Sequence, residues 1–216
     1  MNLLATLKLN LKLLPLRQAF RLPIVVEGPL CVELGPKARL ELPAGAGHAT
    51  VVLGSRHETY KAGAGKGQFT LLGTWRVRGK VRIGLDSCLY IHAGATLTTG
   101  QEVYIARDSQ IECASEVVID DHVLMGETYI CDTAAHQVMH GQEPQPKTRP
   151  IHIAEGCYFG FRTMVLRGVQ IPPHSVVGSG AVCTRDYATA YPDGHLLLTG
   201  VPAEVKATDV TPDCRV

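Results

Sequence analysis

A six-residue beat, unbroken towards the C-terminal end, narrows the fold of this 216-residue chain more than any other feature. Ile153, Phe159, Val165, Ile171, Val177 and Cys183 follow one another six apart. The residue four past each of the first five is small or β-branched: Cys157, Thr163, Val169, Ser175 and Ala181. Such a period is neither that of a helix nor a strand-length burst of alternation, and it marks a repeat architecture. If each hexapeptide supplies one short strand and one corner, three of them make a coil of a triangular prism. The large residue then fills the interior, the small one leaves room beside the corner, and successive coils bond in parallel along the axis. A β-sandwich of many short strands is the alternative reading, but sandwiches do not hold a six-residue period.

The beat begins at Ile83-Gly84 and Leu89, slips near Gly100, and resumes at Ile105, Ile111 and Val117. It slips by two to Ile119 and continues through Met125 and Cys131. Bulged corners tolerate slips of this size. Gly84, Gly126, Gly160 and Gly178 each follow a large apolar residue, a place suited to close backbone approach or positive φ. Ahead of residue 80, Val26, Val32, Leu34, Leu40 and Leu42 fall only loosely on even positions, and Gly63, Gly65 and Gly67 mark a turn-rich stretch. Those glycines are no phosphate loop, because Gly65-Lys66 is followed by Gly67 where Ser or Thr is required. The expected organisation is one domain over 1–216. An N-terminal segment with irregular first coils covers 1–80, regular coils cover 81–186 around a loop at 132–150, and a tail over 187–216 holds a last short strand near His195 to Leu198.

A hydrophobic share of 45% is enough for one sizeable core. With 21 Lys+Arg against 20 Asp+Glu no long-range field favours nucleic acid, which sets aside readers built on basic stripes. Seven Cys without a CxxC pair argue against a disulfide framework and a zinc knuckle. Cys113, Cys131, Cys157 and Cys183 fall on or beside the inward lines, where a thiol acts as a small hydrophobe. The start is leucine-rich and basic, with Lys8, Asn10 and Lys12 interrupting the leucines and Pro15 ending the run. Too short and too charged to span a bilayer, it reads as a packing element or short helix, or else as a peripheral membrane contact.

Between Cys131 and Ile151 the beat stops. The segment DTAAHQVMHGQEPQPKTRP has three prolines, two histidines and no aliphatic period. Insertions in solenoids gather on binding faces, so His136 and His140 come first for attention. Neutral imidazole accepts a proton at physiological pH and can return it. His136 can therefore act as a general base, with Asp132 at the start of the loop to orient the ring or offset its charge. Three other readings stay open on residue type alone. His136 can be a solvated loop residue. His136, His140, His122 and His152 can converge on a metal, although they lack any recognised ligand spacing. Cys131 can be a nucleophile served by His136, against the reading of a buried structural thiol.

Three strings carry a resemblance: VVIDDHVLMGETYICDTAAH at 117–136, RPIHIAEGCYFGFRTMVLRGVQIPPHSVVGSGAVCTRD at 149–186, and GVPAEVKA at 200–207. With them the chain resembles the left-handed β-helix acyltransferases of the hexapeptide-repeat superfamily. The likeness is to the acetyltransferases of capsular and other surface polysaccharide synthesis in particular, and to the maltose and galactoside O-acetyltransferases. The resemblance implies an all-β, left-handed parallel β-helix, an exception to the usual handedness of parallel crossovers. It also implies a cytoplasmic homotrimer with sites in grooves between prisms, and acetyl-CoA as co-substrate without a metal. His136 matches the histidine of the D-T-x-x-H stretch and would be the base. Phe161 would flank the pantetheine arm with Ser179, Thr184 and Arg185, and Asp108 stands near the acceptor-binding asparagine of sugar acetyltransferases. Ala134 replaces the second acid of D-T-D-x-H, Arg167 the lysine of L-K-G, Glu204 the lysine of G-x-P-A-K, and Asp120 the glycine expected after Ile119. The implied reaction is direct acetyl transfer to a sugar hydroxyl. Transfer to the amine of an aminosugar nucleotide, or a non-catalytic or metal-binding β-helix, are the alternatives.

Overall fold

The computed structural model describes residues 1–56 and 65–214; Gly63 lies outside them. The chain is a left-handed parallel β-helix with three sides. The first side stacks Ile24–Val26, Val51–Ser55, Val81–Gly84, Val103–Ile105, Leu124–Met125, Tyr158–Phe159 and Val176–Val177. The second stacks Leu30–Leu34, Gly67–Leu71, Cys88–Ile91, Gln110–Cys113, Thr128–Cys131, Thr163–Leu166 and Val182–Cys183. The third stacks Arg39–Glu41, Thr74–Val77, Thr96–Thr99, Glu116–Ile119, Ile151–Ile153 and Gln170–Ile171.

The beat is one inward residue per side. Ile105, Met125, Phe159 and Val177 lie in register up the first side; Ile111, Ile130, Val165 and Cys183 up the second; Ile119, Ile153 and Ile171 up the third. All are buried, and so are the small residues Cys157, Thr163, Val169, Ser175 and Ala181 beside the corners. Two details differ from the sequence reading. In the fifth coil the inward residue is Ile130, not Cys131, which occupies the outer face and is buried there at the foot of the loop. The slip from Val117 to Ile119 is no bulge either, since a four-residue strand turns both of them inward.

Of the two roles open to the glycines, close approach holds. A Cβ on Gly126 would meet the Gly160 backbone at 2.9 Å, and one on Gly160 would meet the Ser179 nitrogen at 2.7 Å. Positive φ falls instead two residues past Gly84, Gly160 and Gly178, at Asp86, Arg162 and Gly180. The coils ahead of residue 80 also pair in parallel, Leu30–Leu34 matching Gly67–Leu71 over five residues, with a register shift between Leu53 and Ser55. Their longer strands carry two or three inward residues each, which hides the six-residue count, and only their connections are long. Trp75, fully buried, fills the wide early interior and donates its indole N–H to Thr99 Oγ1 at 3.0 Å.

Both ends are covered, as a solenoid requires. Helix α1 (Leu3–Leu13), capped by Asn2, and the short α2 (Leu16–Ala19) close the first coil. At the other end Leu197–Thr199 adds to the first side and Glu204–Ala207 turns back antiparallel on it. The Tyr187 hydroxyl donates to the Ala203 carbonyl at 2.8 Å beneath this turn.

Candidate active site

The second side separates two edges of the prism, and the residues matched to the base, co-substrate and acceptor positions lie along one or the other. On the edge leading into it are Asp108 and, in the sixth and seventh coils, Phe161 and Ser179. On the edge leading out are the loop at 132–150 and Thr184 with Arg185. Ala181 and the two-residue strand Val182–Cys183 are all that separate the glycine after Ser179 from Thr184, so both pairs flank one narrow face.

That face is grooved. One concavity of about 330 Å³ is lined by Asp108, Gln110, Glu127, Tyr129, Arg162 and Met164, among others. A second, of about 270 Å³, is lined by Cys88, Tyr90, His92, Gln110, Glu112 and Tyr129, among others. They share Gln110 and Tyr129, which pair directly in register, so they form one cleft across the outer face. A larger hollow of about 460 Å³ lies at the edge between the third and first sides, around His48 and Arg78, where Arg78 pairs with Asp120 at 3.7 Å.

The loop is a closed finger rather than a slack strand. Met139–His140 pairs antiparallel with Glu143–Pro144, Thr133 bridges to Thr148, and the Arg149 N–H donates to the Asp132 carbonyl at 3.0 Å. Its root is fixed by Asp132, which is fully buried. Asp132 Oδ1 accepts from the Ala114 N–H at 2.7 Å, and Oδ2 accepts from Ser115 and Glu116 at 2.8 Å each. Both carboxylate oxygens are thereby taken up by the corner of the preceding coil, and no hydrogen bond or ion pair joins them to His136. His136 is exposed, four residues out from that anchor, where the Ala135 corner takes positive φ.

The thiol reading of Cys131 fails on its surroundings. Burial raises its pKa, and the thiol donates to the Thr133 carbonyl at 3.2 Å, so it is a protonated packing group. The four histidines do not converge. His152 Nε2 meets Asp120 Oδ2 at 2.6 Å on the third side, His122 turns a corner between the third and first sides, and only His136 and His140 share the loop. Among the described residues no cluster of three or more metal-ligating side chains occurs.

Several candidates are held by neighbours. Asp108 Oδ2 accepts from Arg107 Nε at 3.0 Å, and the buried Arg107 guanidinium also reaches Asp86 at 3.0 Å, so the acid enters the cleft in a fixed pose. The Ser179 hydroxyl accepts the Phe161 N–H at 3.1 Å, while the Phe161 ring is 48% exposed. Arg185 pairs with Glu204 and lies over the Tyr187 ring, 5.4 Å from its centroid. The acid that replaces a lysine in the tail motif thus sits on one of the two cations nearest the last corner.

Among the cleft residues not singled out from the sequence are Tyr90, His92, Glu112 and Tyr129. His92 Nε2 lies 3.0 Å from Glu112 Oε1, and the Tyr90 and His92 rings are 4.5 Å apart. Bonding to Cys131 and then burial push the Tyr129 hydroxyl up to about 12. Their only signal is alternation with the inward line, Tyr90 after Leu89, Glu112 after Ile111 and Tyr129 before Ile130, which is weak because outward positions carry every residue type.

No family model matches the chain. It is 27% identical over 115 residues to the galactoside O-acetyltransferase of Lactococcus lactis, covering 52% of this chain and 53% of that one. To the galactoside O-acetyltransferase of Escherichia coli it is 25% identical over 119 residues, 54% and 56% of the two chains. The chain thus spans about half the length of these curated relatives. Among solved structures, a hexapeptide-repeat acetyltransferase of Vibrio cholerae in complex with acetyl-CoA superposes with a TM-score of 0.50 at 20% identity, over 62% of this chain and 70% of the other.

Proposed function

We infer, for a chain that belongs to the hexapeptide-repeat, left-handed β-helix acetyltransferase superfamily, that it moves an acetyl group from acetyl-CoA to a hydroxyl of a carbohydrate, with His136 as general base. The observation that carries this reading is the interruption of an otherwise continuous solenoid at one corner, which leaves an exposed imidazole on a finger rooted at the rim of the cleft.

The second side suits the co-substrate. The exposed Phe161 ring and the Ser179 corner offer an apolar and polar margin for a pantetheine arm, and Thr184 and Arg185 stand across two residues of strand. The fit is weaker at the phosphates, where Glu204 already holds Arg185. The shallow cleft is open to solvent along its length, and a homotrimer in which a neighbouring prism closes it would exclude water from the thioester.

In the proposed reaction His136 removes the proton of the acceptor hydroxyl as its oxygen attacks the thioester carbonyl. A new C–O ester bond forms, the C–S bond breaks, and the coenzyme thiolate takes up the proton. Aligned placement supplies much of the remaining rate. Asp132 serves as a positioning residue that fixes the root of the finger, and Asp108, clamped by Arg107, offers the acceptor a fixed carboxylate. Replacing His136 by Asn tests the reading: coenzyme release with a panel of glycosides should fall by about 10²–10⁴-fold, while stabilisation by CoA in a thermal melt persists. Substantial activity in the Asn variant would end the assignment.

A further inference from the structure

Helix α1 buries three residues against the prism, Thr6, Leu9 and Asn10, and two of the three are polar. Its two fully buried polar residues face the prism. The Asn10 amide donates to the Thr6 and Ile24 carbonyls at 2.7 Å each and accepts the Ile24 N–H at 3.2 Å, and the Thr6 hydroxyl accepts the Val26 N–H at 3.0 Å. These bonds satisfy the free edge of the first strand, which has no earlier coil to pair with. Leu9 is buried beside Thr6 and Asn10, whereas four other leucines go the other way: Leu4 is 83% exposed, Leu3 and Leu11 53% each, and Leu7 39%. Leu16 and Phe20 continue the exposed surface beyond the helix.

At about 100° per residue, Leu3, Leu4, Leu7 and Leu11 share an arc of about 100°, Lys8 follows its Leu4 edge with Lys12 beyond it, and the buried Leu9 lies roughly opposite. Lys8, Lys12, Arg17 and Arg21 are exposed with no ion pair among the described residues, and no acid precedes Glu27. In a chain that is otherwise close to neutral, cationic charge is concentrated beside the one large leucine stripe on the surface. The direction of the stripe matters as well. Because the inner face of the helix bonds the edge of the first coil, the outer face looks out along the prism axis, and prisms packed side by side leave it uncovered.

We propose that α1 and α2 dock on an anionic lipid surface, the leucines entering the headgroup boundary and the four cations lying among the headgroups. The contact is interfacial. With 11 residues α1 is about 16 Å long, and no helix among the described residues is long and apolar enough to cross a membrane. The prism then stands end-on, with the finger at 132–150 leaving the fifth coil about 20 Å above the first.

Co-sedimentation of the full chain with vesicles of equal parts phosphatidylcholine and phosphatidylglycerol tests this. The unaltered protein should pellet with them, and at least about tenfold more weakly with phosphatidylcholine alone. Leu4→Gln with Leu11→Gln, both at exposed positions and so leaving the melting temperature unchanged, should reduce partitioning about tenfold or more. Lys8→Gln with Lys12→Gln should lower it by a similar factor on anionic vesicles only, about fivefold for each charge. Equal partitioning of the unaltered chain and the leucine variant overturns the proposal, as does an unaltered chain that stays in the supernatant. A particle mass in solution that falls in the leucine variant, without vesicle binding by either protein, assigns the stripe to a second copy and overturns it too.

Discussion

Truncating Asp132 to Ala should cost this protein stability before it costs any chemistry. The carboxylate is fully buried and accepts three backbone N–H groups at 2.7, 2.8 and 2.8 Å, all from the corner at 114–116. Without it three part-buried donors lose a charged acceptor. Each orphaned donor costs about 1–3 kcal/mol, and water admitted to the space left behind recovers part of that, so a net loss of about 3–5 kcal/mol is expected. For a chain of this length each kcal/mol moves the midpoint by roughly 2–4 °C, which makes the expected drop about 6–20 °C. Asn keeps one carbonyl oxygen, enough for the Ser115 and Glu116 pair that shares Oδ2, and exposes only the Ala114 donor to an opposing amide. Its cost is therefore about 1–3 kcal/mol. Thermal melts followed by circular dichroism should rank the native residue above Asn and Asn above Ala. An Ala variant within about 1 kcal/mol of the native protein, yet impaired in acetyl transfer, would refute the anchoring role and return Asp132 to direct service of His136.

Two further outcomes follow from the surroundings of single groups. Burial pushes the Cys113, Cys157 and Cys183 thiols up to about 12 from an ordinary 9.0. A folded pKa raised above the unfolded one gives stability that is fully present below pH 9 and lost as pH rises towards 12. Denaturant midpoints should fall steadily above pH 9, and a thiol reagent at pH 8 should label the exposed Cys31 of the native protein while sparing these three. Replacing Glu204 by Gln frees Arg185 from its ion pair, and the KM for acetyl-CoA should fall by about two- to fivefold with kcat unchanged, since an exposed pair is worth only about 1 kcal/mol. An unchanged KM would remove Arg185 from the coenzyme site.

The first helix and the finger are two uses of one device. In a prism whose interior is filled by a fixed inward line, polar side chains serve where backbone groups lose their neighbours. Asn10 and Thr6 do so at the open edge of the first strand, and Asp132 does so at the corner where the chain leaves the solenoid. The functional surface is then free to be made of whatever is left outside.

Much of the architecture was legible in the residue order because a solenoid repeats locally. Ile153 to Cys183 mark one inward position per side, and a run of six such positions is two complete coils, whatever the rest of the chain does. The early coils were obscured because their longer strands hold more inward residues and their connections vary in length. The finger at 132–150 was visible as the place where the beat stops, and His136 with it. The pinning of Asp132 by the preceding coil, the exchange of Cys131 for Ile130 on the inward line, the pairing of Arg185 with Glu204, and the cleft of Tyr90, His92, Glu112 and Tyr129 were not. Those features join residues about twenty apart along the chain but one coil apart in space. Periodicity fixes which side chains turn inward; which outward side chains meet depends on the length of every corner between them, and only the wound chain adds those lengths together.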